Sequence, residues 1–292
     1  YVFEAWDGYW DDAPEVDRVV YQVIPEVASQ VAALLAGQVD LMFNVPAPDV
    51  ARLEEADGIR VMEGAANRLT HLNLRTETES GSLAKTYPDY EPTTLDKKIR
   101  HAINHALDRT LLADIQGNAK PTLVRVASAW PEAHPDKYAG AEVADEWYDP
   151  ELARELIIEA GYDPDAGDRP KVYFDSPAFE FGNEKEVAEA AAAMLEDVGF
   201  DVELKVLESS AYIEQVHQPG NNRDIMLVSL GGSPGMTALF FKCDWWDLYY
   251  HVCVPEWDEV GSEIMRTVDE GERVELWEEW WEFYLDELVY VT

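Results

Sequence analysis

The sequence predicts an α/β fold built in two parts. Short apolar runs alternate with short amphipathic runs over residues 17–62. Strand, helix and strand patterning returns over residues 171–230, around an Ala-rich stretch. Between the two lies a polar stretch, 76–94, with Gly, Ser and Pro. Strands and helices that alternate through short links build α/β layers, and a polar Gly/Ser/Pro stretch marks the loop dividing them.

The elements follow in order. Residues 17–25, DRVVYQVIP, read as a strand that ends at Pro25. Residues 29–35 form a short helix closed by Gly37, and 39–43 a second strand. A second helix over 48–56 leads to a strand at 59–62, and LTHLNLR at 69–75 is a further strand. The longest amphipathic run begins at Asp96. Ile99, Ala102, Ile103, Ala106, Leu107, Leu111 and Leu112 share one helical face. Thr94 is the expected N-cap and Gly117 the stop, so a single long helix is predicted. Arg100, Asp108 and Arg109 stand among its apolar positions and must meet partners or water, because an unpaired buried charge is costly.

Residues 121–138 read as irregular. Asp149 as cap, Pro150 at the first helical position and Gly161 as stop enclose the next helix. Then come a strand at 171–174, a helix at 184–198 stopped by Gly199, and an alternating strand at 200–207. A helix at 209–217 and a strand at 223–230 follow. Two helices, 255–269 and 272–286, end the chain. The last carries Trp277, Trp280, Trp281 and Tyr284 at core spacing.

The 292 residues are 47% hydrophobic, enough for a substantial core and against disorder. No apolar run reaches the roughly 18 residues needed to span a membrane. The chain opens with neither a basic n-region nor Met and reads as an internal fragment. Its 59 acidic and 22 basic residues give a formal charge of −37, which repels nucleic acid and anionic membrane. The acids are spread along the whole chain, so the charge is read as adaptation to salt, as in a halophile.

Cys243 and Cys253 read either as two buried thiols or as a local disulfide, with no zinc-spaced cluster beside them. His101 and His105 have the spacing of a two-histidine metal face. No third ligand is visible, and two hydrogen-bonded histidines are the preferred reading. No nucleophile motif, P-loop or dinucleotide glycine pattern is present. No catalytic residue, metal site or cofactor is therefore assigned.

Several strings together resemble one family. They are Ile99-Arg100-His101-Ala102-Ile103, Ala106-Leu107-Asp108-Arg109 and Gly117-Asn118-Ala119 in the long helix. Before it stand Asp17-Arg18-Val19-Val20-Tyr21 with Ile24-Pro25, and Leu34-Leu35-Ala36-Gly37-Gln38-Val39-Asp40. After it come the run from Tyr148 to Tyr162, Arg273 to Leu276 with Trp277, and Asp286-Glu287-Leu288, where Val289 replaces the usual proline. In number, order and spacing these are similar to the extracellular solute-binding proteins of family 5, which serve ABC importers of peptides and nickel.

The resemblance implies a two-lobed, type II periplasmic-binding-protein-like fold with an incomplete first lobe. Residues 1–75 would be the remnant of lobe one, 76–94 the inter-lobe loop and 95–292 lobe two. It implies a receptor, not an enzyme, that holds a small-molecule or oligopeptide solute between its lobes and delivers it to permease subunits. The implied setting is extracytoplasmic, at the cell surface, lipid-anchored in full length and monomeric, with no nucleic-acid partner.

Two loops would face the solute. The first contributes Phe179, Glu180, Phe181 and Asn183, and the second Ser229, Gly231, Gly232 and Ser233, with Trp245 beyond it. Dipeptide-binding relatives carry an aspartate in the second loop for the peptide ammonium and an arginine in the first for its carboxylate. Here residues 231–235 hold no acid and 179–183 no base. Charge-assisted pairing is the main handle on a zwitterion. This points away from free dipeptides, towards a longer peptide, an oligosaccharide or another polar solute. Phe179, Phe181 and Trp245 would supply flat apolar walls. The resemblance also implies a Cys243–Cys253 disulfide. Three alternatives stay open: the ligand-sensing domain of a transcription regulator, a nickel-chelate binder, and a hydrolase using Glu180.

Overall fold

The first residues to pair are at the amino end. β1 (Val2–Glu4) runs antiparallel to β2 (Arg18–Val20), with Phe3 opposite Val19. The computed structural model describes residues 1–62, 68–76, 90–117, 141–178, 183–216, 224–231, 254–288 and 290–291. These fall into two units, Tyr1–Gly64 and Ala65–Thr292.

In the smaller unit the ribbon is lengthened by Tyr21 N donating to Tyr1 O (2.8 Å) and Ala5 N to Asp17 O (2.8 Å). Every residue of β1 and β2 is exposed. α1 (Val27–Leu35) buries Val31 and Ala33, and α2 (Ala47–Glu54) starts with a proline in its first turn. The strand expected over 17–25 is paired only at Arg18–Val20. Residues 39–43 and 59–62, expected as strands, join no ladder among the described residues. Alternating apolar residues make a stretch eligible for a sheet, but only a partner's N–H and C=O groups make it a strand. β1 itself is too short to show a period.

The larger unit is built on β3 (Arg68–Leu74), β4 (Lys171–Pro177), β5 (Asp201–Leu207), β6 (Ile225–Gly231) and β7 (Tyr290–Val291). Their spatial order is β5-β4-β6-β3-β7. β4 is parallel to both β5 and β6, while β3 is antiparallel to β6 and β7. The sequence assigns residues 69–75 to lobe one. Compactness assigns β3 to the larger unit, because its backbone hydrogen bonds belong to that unit's sheet.

Leu72, Leu74, Val172, Phe174, Ile225 and Leu227 point to one face of this sheet and form the core with apolar residues of the covering helices. Those helices are α3 (Lys97–Ala106), α4 (Arg109–Gln116), α6 (Pro150–Glu159) and α7 (Glu184–Val198). The single long helix expected from residue 96 is two. Leu107 adopts an extended conformation, and Asp108 caps the second helix through Leu111 N (2.9 Å). The apolar period runs across the break and hides it, so Asp108, read as a charge inside a helix, is a cap. Asp96 and not Thr94 caps α3, accepting from Lys98 N at 2.8 Å. Asp149 caps α6 as expected, through Leu152 N at 2.9 Å.

The buried cations find the partners they need. Arg100 donates to Glu287 O (2.7 Å), Glu287 Oε2 (2.8 Å), Thr94 O and Leu95 O (both 3.0 Å). Arg109 donates to Asn104 O (3.1 Å) and to the Asn104 side chain. Its burial draws the guanidinium pKa down to about 10. α5 (Ala141–Glu146) and α8 (Ser209–Val216) are short. α9 (Pro255–Ile264) and α10 (Glu270–Glu287) enclose a second, aromatic core of Trp257, Trp277, Trp280, Trp281 and Tyr284, all buried. The Trp257 and Trp280 rings lie 4.6 Å apart. Among the described residues no helix is long and apolar enough to cross a membrane.

Candidate functional site

Because β4, β5 and β6 are parallel, their carboxyl ends lie at one edge of the sheet. The amino end of antiparallel β3 joins them there, with Arg68 opposite Gly231 and Thr70 opposite Ser229. Loops at the carboxyl ends of strands are where α/β sheets take ligands, since the chain there is free of the ladder.

On β4 the apolar run gives way to Asp175 and Ser176, both buried. Ser176 Oγ donates to Pro177 O at 3.0 Å. Ala178 N donates to Leu207 O at 2.6 Å, which holds the exit of β4 against the end of β5. Asn183 stands at the entry to α7 but does not cap it. Its side-chain amide donates instead to Ile115 O in the last turn of α4, at 2.7 Å. This bond ties the far end of the first predicted loop to a neighbouring helix.

Ser229 is buried and lies on the same side of β6 as Ile225 and Leu227. Thr70 Oγ1 donates to its hydroxyl at 3.1 Å, so the Ser229 side chain is engaged between strands. Gly231 is the last residue of β6. Phe179, Glu180, Phe181, Gly232, Ser233, Trp245, Cys243 and Cys253 lie outside the described residues. The structure thus brings Ser229 and Gly231 to one strand end and sets Asn183 at a helix entry.

Sequence reasoning missed Thr70, Asp175, Ser176 and Glu184, the last fully buried in the first turn of α7. One signal was available. A strand that turns from Val172-Tyr173-Phe174 to Asp175-Ser176 before it ends is placing polar groups at its carboxyl end. The edge offers hydroxyl, carboxylate and amide groups for hydrogen bonding. Among the described residues no three His, Cys, Asp or Glu side chains are grouped to hold a metal ion.

His101 and His105 lie on α3, away from this edge. His101 Nε2 faces Asp286 O (2.7 Å) and His105 Nδ1 faces Trp147 O (2.9 Å). A ring nitrogen facing a carbonyl must carry the proton, so both rings act as donors. Burial holds both below the ordinary histidine pKa of 6.5.

Comparison with known proteins places these features among relatives. The family model described as bacterial extracellular solute-binding proteins, family 5 Middle, matches residues 1–243. The oligopeptide-binding protein AppA of Bacillus subtilis is 27% identical over 250 residues, covering 81% of this chain and 42% of AppA. The dipeptide-binding protein of Escherichia coli is 24% identical, covering 95% of this chain and 49% of its own. The crystal structure of the ABC transporter substrate-binding protein CtaP from Listeria monocytogenes superposes with a TM-score of 0.77 at 18% identity, covering 99% of this chain and 56% of CtaP. The chain thus spans about half the length of the curated relatives it matches.

Proposed function

The chain belongs to the bacterial extracellular solute-binding proteins of family 5, and on that premise we propose that it is part of an extracytoplasmic receptor for an ABC importer. It binds a solute outside the membrane and hands it to the permease. The observation that carries this reading is the family match over residues 1–243, joined to a fold shared with substrate-binding proteins. In this reading the chain does no chemistry. Its work is selective binding and release.

The solute is peptide-like and longer than a dipeptide. Support comes from the oligopeptide-binding relative, and from the absence of an acid in residues 231–235 and of a base in 179–183. We assign the contacts to Phe179, Glu180, Phe181, Asn183, Gly231, Gly232, Ser233 and Trp245, with Ser229 bracing β6 behind them. The same reading includes lobe two over 95–292, a Cys243–Cys253 bond, a lipid anchor on the full-length protein, a monomer, and a surface adapted to salt. The dipeptide-binding relative, aligned over 95% of the chain, supports a dipeptide as the second reading.

Thermal denaturation of the full-length protein in molar salt tests both. The panel holds dipeptides, longer peptides, oligosaccharides and nickel chelates. A ligand at a hundred times its Kd stabilises the fold by about 2.7 kcal/mol. A shift with longer peptides alone is the expected result. A shift with dipeptides would transfer the assignment to the second reading, and no shift with any peptide would remove the peptide receptor.

A further inference from the structure

Asp224, the residue before β6, holds two distant parts of the chain at one point. Its backbone carbonyl accepts from Arg75 N (2.9 Å), just after β3. Its carboxylate accepts from Tyr90 Oη, from Thr93 N (2.8 Å) and from Tyr173 N on β4 (2.9 Å), and Thr94 N–H also faces it. Thr93 Oγ1 adds a bond to Lys171 O at 2.6 Å, and the Tyr90 ring meets Tyr173 edge-on at 5.4 Å.

Asp224 is buried, and a buried carboxylate is costly unless its lone pairs are met. Here every group turned towards the two oxygens is a donor, which fills the four or so acceptor positions of a carboxylate. The chain therefore leaves the sheet at Arg75 and rejoins it at Tyr90 to Thr94 under the grip of a single residue.

We propose that Asp224 is a clasp that closes the chain between Arg75 and Tyr90 onto the sheet, so that the larger unit keeps its fold without residues 77–89. Both ends of the stretch are bonded to the same end of β6, so a short connection suffices to join them. The polar segment read from sequence as an inter-lobe loop is then an excursion from one unit and can be exchanged.

The test uses three variants of the full chain in molar salt. The first replaces residues 77–89 by a short Gly/Ser linker. It should unfold cooperatively within a few degrees of the parent. The second is Asp224→Asn, which keeps the shape but turns an amide NH2 towards surrounding donors. Exchange of the Thr93 and Tyr173 amides should then accelerate by about tenfold or more, with a lowered Tm. The third, Tyr90→Phe, removes one donor and should speed exchange at Thr93 to a smaller degree. It carries the same test should Asp224→Asn not fold. A linker variant that no longer unfolds cooperatively would overturn the proposal. So would unchanged exchange at Thr93 in both point variants.

Discussion

The two units treat their aromatic residues in opposite ways. In the smaller one Trp6 and Trp10 are 70% and 82% exposed, and Phe3, Tyr21 and Phe43 are also exposed. In the larger one Trp257, Trp277, Trp280 and Trp281 are buried almost completely. Aromatic content alone therefore does not make a core. A core needs two layers to face each other. The larger unit has a five-stranded sheet under helices, and a second aromatic core between α9 and α10. The smaller unit's ribbon has two strands and no layer on either face. An isolated two-stranded ribbon is marginal in water at best.

The sharpest break would come from dissection. Residues 65–292 expressed alone in molar salt should show near-ultraviolet dichroism and a cooperative thermal transition, whereas residues 1–64 alone should show neither. A cooperative transition in the smaller fragment would end the comparison. Next in size are single truncations. Trp280→Ala should destabilise by about 3–5 kcal/mol through the lost aromatic packing, whereas Trp10→Ala should stay within about 0.5 kcal/mol, as exposed sites do. Equal losses in denaturant titration would contradict the contrast. Arg100→Met comes third. It strips the carbonyls of Thr94, Leu95 and Glu287 of their donor and should cost about 2–3 kcal/mol.

The smallest effect is on pH dependence. Burial keeps His101 and His105 below 6.5 in the folded chain. As pH falls, the unfolded chain takes up these protons first. Their contribution is complete above about pH 6.5 and is lost progressively below it. The double substitution of His101 and His105 by Gln should flatten stability across that window. An unchanged profile would mean that the rings titrate alike in both states.

The sequence was most legible where the signal is local. Asp149, Pro150 and Gly161 mark α6 because caps and stops act within a turn. The family match and the parallel arrangement around β4, α7 and β5 were also readable. The break at Leu107 was not, because the apolar period passes through it unchanged. Residues 39–43 alternate like a strand, but a ladder partner is a long-range fact that alternation cannot supply. At the site, Asp175 and Asp224 were lost among 59 acids. Only the fold separates a buried carboxylate from a solvated one.

The account's central claim is that a peptide-like solute is received at the carboxyl edge of the larger sheet. Hydrogen exchange of the full-length protein in molar salt, with and without an oligopeptide pool, tests it most directly. Segments that end β4 and β6 and enter α7, around residues 175–184 and 226–232, should exchange more slowly with the pool present. Peptide binding that leaves those segments unchanged and protects others would contradict the claim.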